Sequence, residues 1–198
     1  MPRIVTTGSA ARCNELAAAL KLRDLAATSL PDQALGALGP DSVDVYVQLP
    51  VSDTGSDSGD DATGLEGAAR FLRYGILARY EAAVAMRDAI SEGGLVVLVP
   101  GNTPPLGTPD RNKARGQLLD ALAEALRRET ADRNVRVIIT REGTSTEQLA
   151  ALVQTGHAEP AIDLSTIAEL NPEMDFDEWR SSVLSLVTEA IHPSSGAV

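Results

Sequence analysis

Gly93-Gly94-Leu95-Val96-Val97-Leu98-Val99-Pro100-Gly101 decides the fold: five consecutive apolar residues, punctuated by glycine and proline on both sides, read as a strand without polar alternation. A strand that is apolar at every position needs both faces covered, which is the condition of a central strand in a parallel sheet. Outward from it, further β-branched runs stand at Arg3-Ile4-Val5-Thr6, Val43-Asp44-Val45-Tyr46-Val47 and Val135-Arg136-Val137-Ile138-Ile139. Helical patterns at about 11–22, 65–91 and 109–130 separate these runs, and that alternation predicts βαβ units around a parallel sheet.

The helix at 109–130 is the best signalled. Thr108 can cap it, Pro109 suits its first position, and Asp110 complements its dipole. Leu118, Leu119, Leu122 and Leu126 recur at the spacing of one buried stripe, while Ala114, Ala121 and Ala125 form a second, smooth one that another helix can approach closely. The helix at 65–91 carries a similar supply in Ala68, Gly75, Ala78, Ala82, Ala85 and Ala89, although alanine also serves simply as a good helix former.

The 198 residues fit one domain, 1–198, of a size that buries about 70% of its unfolded surface. The net charge of −11 is spread along the chain, which argues against nucleic acid and anionic membrane surfaces as partners. Cys13 is the single cysteine and cannot form an internal disulfide; with no signal peptide and no apolar run of membrane-spanning length, a cytoplasmic location is expected. Residues 51–64 are rich in Gly, Ser and Asp and read as a flexible acidic loop. Its carboxylates, Asp53, Asp57, Asp60 and Asp61, do not match the alternating pattern of a calcium loop. Residues 192–198 read as a disordered tail.

His157 is placed in a loop and His192 in the tail, with no Cys or acidic cluster at ligand spacing, so no metal is expected. The serines lack a Gly-x-Ser-x-Gly elbow. Residues 160–170 supply a short strand or a helix. A last helix beginning at Asp175 places Trp179, Val183, Leu186, Val187 and Ile191 on one face, where Trp179 is a core or interface anchor rather than a stacking platform.

Val5-Thr6-Thr7-Gly8-Ser9-Ala10-Ala11-Arg12-Cys13-Asn14 resembles the Thr-Gly-x-x-x-Gly-x-Gly turn of the short-chain dehydrogenases/reductases, keeping only Gly8 of its three glycines. The other two fall on Arg12 and Asn14, where the resemblance implies close approach of backbone to a cofactor pyrophosphate; Cys13 beside them reads as a packed side chain. The strand 44–51 resembles the one that ends in Asn-Asn-Ala-Gly in that family, with Gln48-Leu49-Pro50-Val51 in its place. Gly93 to Gly101 is similar to the strand that ends in the catalytic serine, with Pro100 and Gly101 at the serine positions. The helix at 109–130 matches the one that carries Tyr-x-x-x-Lys, yet those positions fall on Asn112 and Gly116, with Lys113 one turn short of the lysine position. No Tyr-x-x-x-Lys occurs anywhere in the chain, the helix at 65–91 holds no asparagine, and Glu142-Gly143 replaces Pro-Gly.

The resemblance covers roughly 3–145 and implies an α/β fold: a truncated, Rossmann-like, doubly wound parallel sheet. Only about 40 residues separate Gly8 from the Gln48 motif, where the family fits another strand and helix, so one βα unit is missing from the adenosine half. Residues 24–28 and 31–38 can make one short strand and one short helix there. With tyrosine, lysine, serine and the glycines absent, no catalytic, cofactor-binding or metal residue is assigned, and no cofactor is expected. The chain is then expected to be a non-catalytic structural or regulatory subunit. It would pair through helices 65–91 and 109–130 with an active NAD(P)-dependent sister reductase acting on a hydroxyacyl, ketoacyl thioester or polyketide-like substrate, or pair with itself. The alternative is an enzyme or ligand-binding protein with a relocated site in the old crevice, using Arg12, Arg111 and Arg115 for a nucleotide or acyl-CoA.

Overall fold

The central apolar run needs a neighbour on each edge and a helix layer on each face, and the backbone supplies all four. The computed structural model describes residues 1–50, 73, 76–100, 109–141, 143–158 and 181, with backbone alone at 109–115. In chain order the elements are β1 (Ile4–Thr7), α1 (Ala10–Lys21), β2 (Ala27–Ser29), a 3₁₀ turn (Asp32–Ala37) and β3 (Val43–Gln48). Then follow α2 (Ala78–Ala89), β4 (Ile90–Leu98), α3 (Pro109–Glu129), a second 3₁₀ turn (Ala131–Arg133), β5 (Arg136–Ile139) and α4 (Thr146–Ala158).

The sheet is parallel throughout, in the order β2-β1-β3-β4-β5. A Rossmann sheet runs 3-2-1-4-5-6; deleting its outermost strand with its helix leaves this order. The missing βα unit predicted from the short interval after Gly8 is therefore a property of the fold, and the short β2 and 3₁₀ turn are what stand in that interval. Successive side chains of each strand point to opposite faces, so the sheet divides two cores. Ile4, Val45, Val47, Leu95, Val97 and Ile138 pack under α1 and α4. Val5, Tyr46, Val96, Leu98 and Val137 pack under α2 and α3 through Ala82, Met86, Leu119, Leu122 and Leu126. Leu95 to Leu98 are all buried, each side chain contributing about 1.5–3 kcal/mol of apolar burial.

Two expectations are corrected. Helix α2 ends at Ala89 rather than 91, and the strand begins at Ile90 rather than 95, because Ile90 pairs with Val43 while Leu95 pairs with Val45. The extra residues of β4 fold into a tight irregularity at Ser91–Gly94, with Gly93 at φ +69°. The Arg133 guanidinium donates to the carbonyls of Arg87 and Ile90 and closes the end of the helix there. A Cβ on Gly94 would lie 2.7 Å from Ile90 Cγ1 and 2.8 Å from the Ser91 carbonyl oxygen. Gly94→Ala is expected to cost about 1–3 kcal/mol of overpacking, read as a lower urea midpoint with an unchanged slope.

The second correction concerns residues 146–158, which form α4, so that His157 lies in the last turn of a helix and not in a loop. The start of this helix is a capping box: Gln148 N–H donates to Ser145 Oγ at 3.2 Å, and Ser145 N–H donates to Gln148 Oε1 at 2.8 Å. Residues 51–64, the 65–72 part of the expected long helix, Thr108, Glu142, the 160–170 segment, Trp179 and the 192–198 tail lie outside the described residues.

Candidate functional site

In an open α/β sheet the crevice forms at the C-terminal ends of the strands, where the strand order reverses. Here the reversal lies between β1 and β3, and a cleft of about 560 Å³ opens beside it. The turn into α1 lends Ser9, Arg12 and Glu15; the strand ends lend Leu49, Val99 and Pro100; and the approach to α4 lends Gly143, Thr144, Ser145 and Thr146. The floor is close-fitted. Gly8 has φ +134°, and a Cβ there would lie 2.6 Å from the Leu49 carbonyl oxygen, so this first glycine of the turn is needed for backbone approach within the protein itself.

Two helix N-termini border the cleft. Ser9 caps α1, its Oγ accepting from Arg12 N–H at 3.4 Å, and no acidic residue stands in the first turn of that helix. The Ser145 capping box opens α4 on the other side. The positive dipole ends and Arg12 give this rim an electropositive component, which Glu15 partly offsets.

The residues singled out in the sequence separate in space. Arg12 and Pro100 line the cleft with Gly143, which has φ +88°. Cys13 is buried in the core under α1, as expected of a packed side chain. Gly116 is on α3, with open space where a Cβ would stand; Asn112, Lys113, Arg111 and Arg115 lie on the same helix, where only the backbone is described. Gln48 does not line the cleft: its Nε2 donates to Tyr46 Oη at 3.2 Å and to the Arg79 carbonyl at 3.0 Å. Tyr46 shares a 2.8 Å hydrogen bond with Thr7 Oγ1, and burial pushes its phenol up to about 12, so it stays protonated across the physiological range.

Among the described residues that line the cleft there is no Tyr, Lys, His or Cys, and among the described residues no group of three His, Cys, Asp or Glu is placed to hold a metal ion. No described helix is long and apolar enough to cross a membrane. The pair that sequence reasoning missed is Asp32 and Arg79. Arg79, 7% exposed, reaches from α2 to both carboxylate oxygens of Asp32 and, through Nη1, donates to the Leu49 carbonyl at 2.8 Å. A charged residue on an alanine-rich helix is usually solvated, and nothing in the local pattern marks this one as buried.

No family model and no curated protein sequence matches the chain. Solved structures do. BdcA in complex with NADPH aligns with a TM-score of 0.55 and 15% identity, over 79% of this chain and 86% of that one. BdcA from E. coli, in a second structure, gives 0.54 and 15% over 78% and 89%. A Corynebacterium glutamicum protein described as a short-chain dehydrogenase/reductase gives 0.50 and 17% over 78% and 91%. At such identity the likeness is one of fold: an α/β, Rossmann-like parallel sheet.

Proposed function

We propose that this chain is a non-catalytic subunit that uses a reductase-like sheet as a frame and pairs, through the outward stripe of α2 and α3, with an active NAD(P)-dependent reductase. The observation that carries the reading is that stripe. Leu77 at 54% and Val84 at 47% exposure are two of the large apolar side chains left in solvent among the described residues, and both are on the same side of α2. We take these two side chains, seven residues apart on one helix face, as the contact with the partner.

The chemistry of the cleft supports the same reading. Positioned acid–base groups are worth about 10²–10⁴ in rate, and the described lining offers Glu15 as its one carboxylate and Arg12 as its one basic side chain. A dinucleotide fits poorly: full side chains, Arg12 and Asn14, stand at positions where the resemblance calls for glycine, and Arg12 is in the lining. The class of substrate, a hydroxyacyl or ketoacyl thioester or a polyketide-like carbonyl compound, belongs to the partner and rests on fold analogy.

Such pairing requires a reductase encoded next to this chain, and co-expression with that reductase is the test. The tagged chain is expected to elute with that reductase in one size-exclusion peak, and Leu77→Glu with Val84→Glu to dissociate it, since two charges desolvated at an interface core cost several kcal/mol. A chain that elutes as a monomer in the presence of the reductase defeats the proposal; a homodimer broken by the same pair of substitutions assigns the stripe to self-association. A second reading, a ligand-binding protein with its site in the cleft, is favoured by the two helix N-termini beside Arg12. Under that reading NADPH or an acyl-CoA at about 100 times its Kd stabilises the chain by about 2.7 kcal/mol.

A further inference from the structure

In Rossmann-like nucleotide sites an Asp or Glu roughly 20 residues after the glycine turn stands at the end of the second strand and accepts hydrogen bonds from the adenosine ribose. Asp32 opens the 3₁₀ turn three residues past the end of β2, 24 residues after Gly8, and is the acidic residue nearest that station in the chain. Its carboxylate already has a partner. We infer that Arg79 is a built-in occupant of the ribose station, so that the adenosine half of the crevice is closed by the chain itself.

The geometry is that of a held group. One guanidinium nitrogen, Nη2, donates to both oxygens of Asp32, to Oδ1 at 2.6 Å, while Nη1 donates to the carbonyl of Leu49, the residue that floors the open cleft. The planar fork of arginine makes such shared recognition specific. The first turn of α2 cannot swing away, because the Arg79 carbonyl accepts from Gln48 Nε2, and Gln48 in turn donates to the buried Tyr46 hydroxyl. A ribose approaching the exposed part of Asp32 would have to compete with a guanidinium that is itself only 8% exposed. The charge on Arg79 does for Asp32 what ligand hydroxyls would do, and it does so permanently.

This inference rests on the sheet order and on these side chains, and not on the pairing proposed above, so either can fail alone. Isothermal titration with ADP as the probe tests it, with circular dichroism as the control for folding. The wild-type chain is expected to show no binding at millimolar ADP. R79M, which keeps bulk and frees Asp32, is expected to bind at least about tenfold more tightly, and the double variant D32N/R79M to lose that gain. R79K keeps the charge but cannot span Asp32 and Leu49 together; it gives a smaller gain and is read in place of R79M should the latter not fold. Wild-type binding of ADP that D32N weakens overturns the inference, as does a folded R79M or R79K that gains nothing.

Discussion

Asp32→Ala is expected to destabilise the chain by about 3–5 kcal/mol, a fall in Tm of roughly 10 °C for a protein of this size, and to do more damage than Arg79→Met. The asymmetry follows from where the two charges sit. The Arg79 side chain is 8% exposed and that of Asp32 22%. Removing the carboxylate strands a guanidinium out of reach of water, whereas removing the guanidinium leaves a carboxylate that solvent can partly rehydrate and a Leu49 carbonyl without its donor, at about 1–3 kcal/mol. Urea unfolding of the two single variants and the double measures the order directly. The double variant is expected to be less destabilised than the sum, because each single change already forfeits the shared interaction. If Arg79→Met proves the worse of the two, Asp32 is the more deeply desolvated partner and the account of the pair is inverted.

What the sequence made legible follows how local each determinant is. Leu95 to Val99 could be read as a covered strand because its neighbours in sequence carry the pattern, and Pro109 could be read as a helix start for the same reason; Leu95 to Leu98 are buried in β4 and Pro109 opens α3. The missing βα unit was legible from chain length alone, since the interval from Gly8 to Gln48 has no room for it. Helix α4 was missed although its signal is present: Ser145-Thr146-Glu147-Gln148 is a capping box ahead of Leu149, Leu152 and Val153, at helical spacing. The nearby Gln154-Thr155-Gly156 punctuation points instead to a loop, yet Gly156 is buried inside the helix. The early start of β4 was hidden because Ile90 pairs with Val43, a contact distant in sequence.

The Asp32 and Arg79 pair belongs to the least legible class. Its two members are 47 residues apart, and neither lies in a motif. Only the packing of the first 3₁₀ turn against α2 brings them together, and that packing exists because the deleted unit leaves this part of the sheet to be covered by something shorter. On the side of the sheet beside α4, Gly143 has a positive φ and the cleft is open.

Gly8→Ala is the other change expected to be severe, at about 3–5 kcal/mol, because two costs fall on one residue. A backbone at φ +134° is sparsely populated by residues with a side chain, which costs about 1–3 kcal/mol. The new methyl would also stand 2.6 Å from the Leu49 carbonyl oxygen and 2.8 Å from Leu49 Cβ. Leu49 cannot retreat, since its N–H donates to the Thr7 carbonyl at 2.8 Å and Ser9 N–H donates to the Pro50 carbonyl at 3.1 Å, pinning β1 and the end of β3 on both sides of the contact. Because the displaced carbonyl is the acceptor of Arg79, a cycle of Gly8→Ala with Arg79→Met is expected to show a coupling of about 0.5–3 kcal/mol. Gly116→Ala is the contrast: nothing stands within 4 Å of its Cβ, and in a helix interior alanine is the better residue by about 1 kcal/mol, so the midpoint should rise. Urea midpoints that fall alike for both glycines would show that the fit of Gly8 against Leu49 is not what fixes the floor of the crevice.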